Sequence, residues 1–125
     1  MKSALARDEE SLHRLEAISN TSAPILSVYL NLLPHPDETR TIGARLRDQL
    51  RPIKAMAESD QLDHAAAMSL RLGIARVFEL EPKLEAHWGH GWAFFVCNAL
   101  DFEEELIVSP RVWDCEMAGP RPYLR

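Results

Sequence analysis

Four side chains in the second half of the sequence are of the types that hold zinc in proteins. They are His87, His90, Cys97 and Cys115. Zinc cysteines usually come as a close pair, whereas these two cysteines lie 18 positions apart on separate predicted strands. The spacing favours small core cysteines and histidines in a glycine-rich turn. We therefore expect no metal site and no cofactor.

A catalytic set can be drawn from Ser109, His64 and Asp63, because they supply a hydroxyl, an imidazole and a carboxylate. The sequence contains no G-x-S-x-G elbow, no phosphate-binding P-loop pattern and no G-x-G-x-x-G fingerprint. The acidic run at residues 103–105 falls in a predicted strand, whose alternation aims Glu104 away from its neighbours. A solvated edge is favoured over a metal cage. We predict no catalytic residues and no enzymatic activity.

Basic side chains recur along one predicted helix at the spacing of a single face. The four positions are Arg40, Arg47, Arg51 and Lys54. Successive members are separated by seven, four and three residues, which places them on a common face, with Arg45 to the side. Guanidinium groups suit paired phosphate oxygens, so one hypothesis is that this ridge binds RNA phosphates. The alternative is a solvated face that is neutralised by Asp37, Glu38 and Asp48.

Composition narrows the class of protein. The chain has 125 residues, of which 46% are hydrophobic and 26% charged, as in one folded domain. Fourteen Lys and Arg against nineteen Asp and Glu leave a net charge of −5, which argues against DNA binding and nonspecific coating of nucleic acid. Two cysteines fit a reducing compartment. The start lacks a signal-peptide stretch and the longest apolar run is six residues, so we predict a cytoplasmic protein without membrane contact.

Apolar periodicity predicts an α+β fold with the element order α-β-α-α-β-β-β. The predicted helices lie near the start and near residues 37–57 and 62–80, with Asp37 and Asp60 as N-caps and a kink or break at Pro52. The predicted strands cover residues 25–32, 92–97, 102–108 and 112–117. These elements predict a mixed sheet of about four strands with a helical hairpin on one face.

Several of these segments resemble a known family. They are Ile25–Leu30, Asp37–Arg40, the long helical pair, Gly91–Val96 and the closing Gly119–Arg125. From about Ala23 onward they resemble the N-terminal region of the bacterial relatives of the archaeo-eukaryotic release factors, which are similar to Pelota. The resemblance implies that residues 1–125 are one non-catalytic N-terminal domain of a longer protein. It also implies docking to the ribosome in translation termination, rescue or hibernation.

The resemblance has a clear departure at the tip of the helical hairpin. In the eukaryotic release factors this tip carries an Asn-Ile-Lys-Ser tetrapeptide that reads the stop codon. Here the matching residues 58–63 are acidic and contain no lysine. The Gly-Gly-Gln loop of the family belongs to a domain that follows this one, so the resemblance implies no hydrolysis by this chain. A protein-interaction or dimerisation module without an RNA role is the alternative function, and the oligomeric state stays open.

Overall fold

A computed structural model describes residues 2–19, 22–33, 39–109 and 114–124. Its helices are α1 (Lys2–Ala17), α2 (Ile42–Glu58) and α3 (His64–Leu80). Its strands are β1 (Ile25–Asn31), β2 (Gly91–Cys97), β3 (Phe102–Val108) and β4 (Cys115–Gly119). Short 3-10 helices at Glu81–His87 and Asn98–Leu100 follow α3 and β2. The predicted α+β class and element order are confirmed.

The four strands form one sheet in the order β3-β2-β1-β4, and every neighbouring pair is antiparallel. The prediction of a mixed sheet was therefore wrong. The reason lies in the connection from β1 to β2, which contains two long helices. Because each helix runs the length of the sheet, the pair returns the chain to the end at which β1 finished, and β2 runs back antiparallel.

The α2–α3 hairpin covers one face of the sheet, as predicted. Leucine, isoleucine and valine side chains at helical spacing pack there against strand residues at every second position. The buried helix residues include Leu46, Leu50, Ile53, Leu70, Ile74 and Val77. Their strand partners are Leu26, Val28, Leu30, Trp92, Phe94 and Val96. This cluster is the main hydrophobic core, and it fixes the hairpin on the sheet.

Side-chain caps set where the two hairpin helices begin. Thr41 Oγ1 accepts a hydrogen bond of 3.1 Å from the Ala44 N–H, so α2 starts at residue 42 rather than 37. Asp63 Oδ1 accepts one of 2.8 Å from the Ala66 N–H, so the predicted cap at Asp60 was wrong. The predicted cap at Asp37 lies outside the described residues.

The prediction at Pro52 was a kink or a break. Helix α2 continues as one helix from Ile42 to Glu58, so the break was wrong. Proline removes the N–H that would bond the carbonyl of Asp48, four residues earlier. Both residues are exposed, and water can take the place of the missing donor.

The second face of the sheet is covered from two sides. Leu15 of α1 packs with Phe95 and Leu106 over β2 and β3. The closing segment crosses β1, where the Tyr123 N–H donates to Ser27 Oγ at 2.9 Å. The Tyr29 hydroxyl donates to the Tyr123 carbonyl at 2.6 Å. Two hydrogen bonds through Tyr123 thus hold the closing segment on β1.

Gly73 allows α3 to approach the sheet closely, because a Cβ there would lie 3.2 Å from Val96 Cγ1. We expect Gly73→Leu to lower the free energy of unfolding by about 1–3 kcal/mol through overpacking. Ala75→Leu is the matched control on the exposed side of the same helix and should change stability by less than about 0.5 kcal/mol. Urea denaturation followed by circular dichroism measures both. Equal stability of the two variants would contradict this packing.

Candidate functional site

An open groove of about 620 Å³ runs between α2 and α3 on the surface of the hairpin. The residues that line it are Gly43, Arg47, Leu50, Arg51, Lys54, Ile74, Phe78 and Glu81. We call it the cationic groove. Leu50 and Ile74 are buried and Phe78 is partly buried, so the floor is apolar. The three basic side chains are exposed and all come from α2.

The structure brings three of the four predicted basic residues into the cationic groove and leaves out the fourth. Arg47, Arg51 and Lys54 line it, whereas Arg40 does not. Arg40 precedes the helix, because α2 begins only after its Thr41 cap. The prediction that Arg40 shares a face of this helix was therefore wrong, and its contact with RNA stays a prediction.

Asp48 forms ion pairs with two of the four predicted basic residues. Its Oδ2 lies 2.8 Å from Arg40 Nη1 and its Oδ1 lies 3.0 Å from Arg51 Nη2. Within the described part of the chain, the side chains of Arg47 and Lys54 make no hydrogen bond and no ion pair. The proposed neutralisation by Asp37 and Glu38 falls outside the described residues. Two basic groups of the groove are thus exposed and form no ion pair with a described residue.

One end of the cationic groove is negative. Glu81 follows α3 and lies against the first turn of α2, where a Cβ on Gly43 would overlap its Oε1. The glycine lets the carboxylate approach the start of a helix, where the helix dipole favours negative charge. Sequence reasoning missed this pair, because the two residues are 38 positions apart. The predicted antiparallel hairpin could have indicated this contact, because it brings the start of α2 beside the end of α3.

The helical spacing predicts that Arg45 lies beside the basic face of α2 rather than on it. In the structure Arg45 is only 8% exposed, and its side chain connects α2 with β1 and with the residue before β4. Its Nη2 donates to the Asn31 carbonyl at 2.7 Å and to Asp114 Oδ2 at 2.7 Å. The other oxygen of Asp114 accepts a 2.7 Å hydrogen bond from the Asn31 N–H. This closed set of bonds ties α2 to the end of β1 and to the residue before β4. Its role is to position the helix.

Gln49, one turn after Arg45, also bonds α2 to β1 and β4. Its Nε2 donates to the Tyr29 carbonyl at 3.0 Å and to the Cys115 carbonyl at 2.6 Å. Glu116 follows on β4 and is partly buried. Burial raises the pKa of Glu116, and the nearby charge of Asp114 raises it further, against a backbone hydrogen bond that lowers it.

The zinc-type ligands do not converge. Cys97 lies in β2 and Cys115 in β4, on opposite sides of β1, so two strand spacings of about 10 Å in total separate them sideways. They are also displaced along the strands, because Cys115 lies opposite Tyr29 and Cys97 lies beyond the Leu26–Val96 pair. Among residues that the structure describes, no three His, Cys, Asp or Glu side chains are grouped to hold a metal ion. Asp63 of the possible catalytic set serves as the α3 cap. That the domain binds no zinc stays a prediction.

The acidic run on β3 alternates between the two faces of the sheet, as predicted. Glu103 pairs with Arg76 of α3 at 2.7 Å, while Glu104 pairs with Arg14 of α1 at 2.5 Å. The hydrogen bond and charge of Glu103 raise the pKa of Arg76, and those of Glu104 raise the pKa of Arg14. Glu103 and Glu104 thus form ion pairs with helices on opposite faces of the sheet, in addition to their contact with solvent.

Comparison with known proteins finds no match to a family model, to a curated protein or to a solved structure. Within the described ranges, none of the helices has the length and apolar character that crossing a bilayer requires.

The ion pair of Arg45 with Asp114 can be tested by its effect on stability. We expect Arg45→Met to lower the free energy of unfolding by about 1–3 kcal/mol, because Asp114 and the Asn31 carbonyl lose a buried donor. A double-mutant cycle with Asp114→Asn should give a coupling of about 1 kcal/mol or more.

The matched control is Arg51→Met, which removes an ion pair whose arginine is 76% exposed. It should cost less than about 1 kcal/mol. A similar loss in both arginine variants, with no coupling to Asp114, would refute the positioning role of Arg45.

Proposed function

We propose that this is a non-catalytic N-terminal domain of a release-factor-like protein, which acts in the cytoplasm and docks to the ribosome in termination, rescue or hibernation. The cationic groove would bind phosphates of ribosomal RNA. The observation that carries the proposal is the convergence of Arg47, Arg51 and Lys54 on one open groove, two of them without a partner among the described residues. The resemblance of the sequence to that family supports the ribosome as the partner.

The layout of the three cations suits a phosphate chain. Residues 47 to 54 of a helix span about 10 Å along its axis, so the three heads can serve neighbouring phosphates. Arginine binds phosphate through two parallel N–H donors, and lysine acts as a mobile point charge. The chain has a net charge of −5, so an anionic partner is favoured only where basic side chains cluster, as they do in this groove.

The tip of the hairpin supports docking without codon reading. The chain turns between Glu58 and Asp63, and the exposed tip carries Glu58, Asp60 and Asp63. Phosphates of RNA would repel these carboxylates. The domain would therefore meet RNA along the side of the hairpin rather than through its tip.

Replacing Arg47, Arg51 and Lys54 together by glutamine tests this proposal. Ribosome co-sedimentation of the triple variant should be strongly reduced. The slope of log affinity against log salt should fall in magnitude by about 2 to 3, because each lost phosphate contact contributes about 0.7 to 0.9. The fold should persist, since exposed charges contribute about 0.5 kcal/mol or less each.

The charge-matched control replaces Arg14, Lys83 and Arg121, three exposed basic residues outside the groove, by glutamine. It should keep both ribosome binding and salt dependence. Groove and control variants that co-sediment equally well across the salt range would disprove the proposal.

A second candidate is a dimerisation module, and a different surface favours it. Met68 and Leu72, one turn apart on α3, are 40% and 45% exposed. Leu100 beside them is 40% exposed, and a 2.9 Å hydrogen bond from the Ala99 N–H to Ser69 Oγ holds its 3-10 helix against α3. Exposed apolar side chains in one patch are typical of protein interfaces.

Sedimentation equilibrium tests this second candidate. A dimerisation module should show a concentration-dependent mass that Met68→Gln with Leu72→Gln lowers to the monomer. Leu12→Gln, at an exposed leucine on α1, is the control and should leave the mass unchanged. A monomer at every concentration would rule out dimerisation through this patch.

A further inference from the structure

The cationic groove has an apolar floor that phosphate binding alone does not require. Leu50, Ile74 and Phe78 form this floor below the basic side chains. The cavity of about 620 Å³ lies in the range of pockets that take one small molecule, roughly 300–1,000 Å³. An apolar floor beside cations suits a ligand with a flat apolar part and an attached anionic part, which is the chemistry of a nucleotide.

The negative end of the groove restricts how such a ligand lies. Glu81 is beside Gly43, about 6 Å along the helix axis from Arg47 and about 16 Å from Lys54. A regular nucleic-acid backbone along the whole groove would bring a phosphate next to the Glu81 carboxylate, where it is repelled. A single nucleotide avoids this repulsion when its phosphates lie on the basic side chains and no phosphate lies beside Gly43.

Resting on the proposed function, we infer that the occupant of the cationic groove is one unpaired nucleotide of an RNA chain. Its base lies on Phe78 and Ile74, and its flanking phosphates lie on Arg47, Arg51 and Lys54. Base contact with an aromatic side chain tolerates any sequence, because every base has a π-face. Glu81 at the far end faces the hydrogen-bond donors of the ribose or the base edge. The site is thus selective for unpaired RNA over duplex, and it is separate from the hairpin tip.

Fluorescence anisotropy tests this with a single-stranded RNA of about eight nucleotides and with the duplex of the same sequence. The single strand should bind about 10-fold more tightly or better at equal salt. Phe78→Leu keeps an apolar side chain of similar volume, so folding should persist. It should weaken single-strand binding by about 5- to 50-fold through lost stacking, with the salt slope unchanged because the cations remain.

Two controls keep the result specific. Phe102→Leu changes another partly buried aromatic outside the groove and should leave RNA binding unaltered. Adenosine monophosphate should compete with the single strand only weakly, because it lacks the second phosphate. Competition as strong as that of the RNA would overturn the inference in favour of a free nucleotide.

Failure of this inference differs from failure of the proposed function. Equal binding of single strand and duplex, or no effect of Phe78→Leu, overturns the unpaired-nucleotide occupant. Ribosome binding that still depends on Arg47, Arg51 and Lys54 would then leave phosphate docking in place. Ribosome binding that ignores these three residues removes the proposed function itself.

Discussion

The buried contact of Arg45 with Asp114 and Asn31 sets the rotation of α2, and the character of the hairpin surface depends on it. Arg45 faces the seam between β1 and β4, where its guanidinium is nearly closed off from solvent. Two residues further along a helix lie about 200° around its axis, so Arg47 emerges on the opposite side, towards α3. A helix rotated about its axis would leave a buried guanidinium unpaired, which is costly.

Charge is distributed on this domain by pairing as much as by composition. On β3, Glu103 and Glu104 are engaged by arginines of α3 and α1, and Asp114 is engaged by Arg45. Arg47 and Lys54 have no such partner among described residues. The net charge of −5 therefore hides one groove in which positive groups remain available. Local pairing, rather than overall charge, decides where an anionic partner can bind.

Two surfaces of the same hairpin suggest different partners. The cationic groove lies between α2 and α3 and combines basic groups with an apolar floor. The patch with Met68 and Leu72 on α3 presents exposed apolar side chains. Because the sheet and α2 cover other sides of α3, the two surfaces are separate, and a variant in one can leave the other intact.

Local patterns in the sequence determined the element types, most of the core and the common face of Arg47, Arg51 and Lys54, because helical and strand periodicities are properties of neighbouring residues. Only the tertiary structure decided that the sheet is antiparallel, that Arg40 lies outside the groove and that Arg45 is buried. It also decided that Glu81 closes one end of the groove beside Gly43. Most of these features depend on contacts between residues that are distant in the chain. The position of Arg40 depends on which residue caps the start of α2. The periodicity of the sequence carries no information about either.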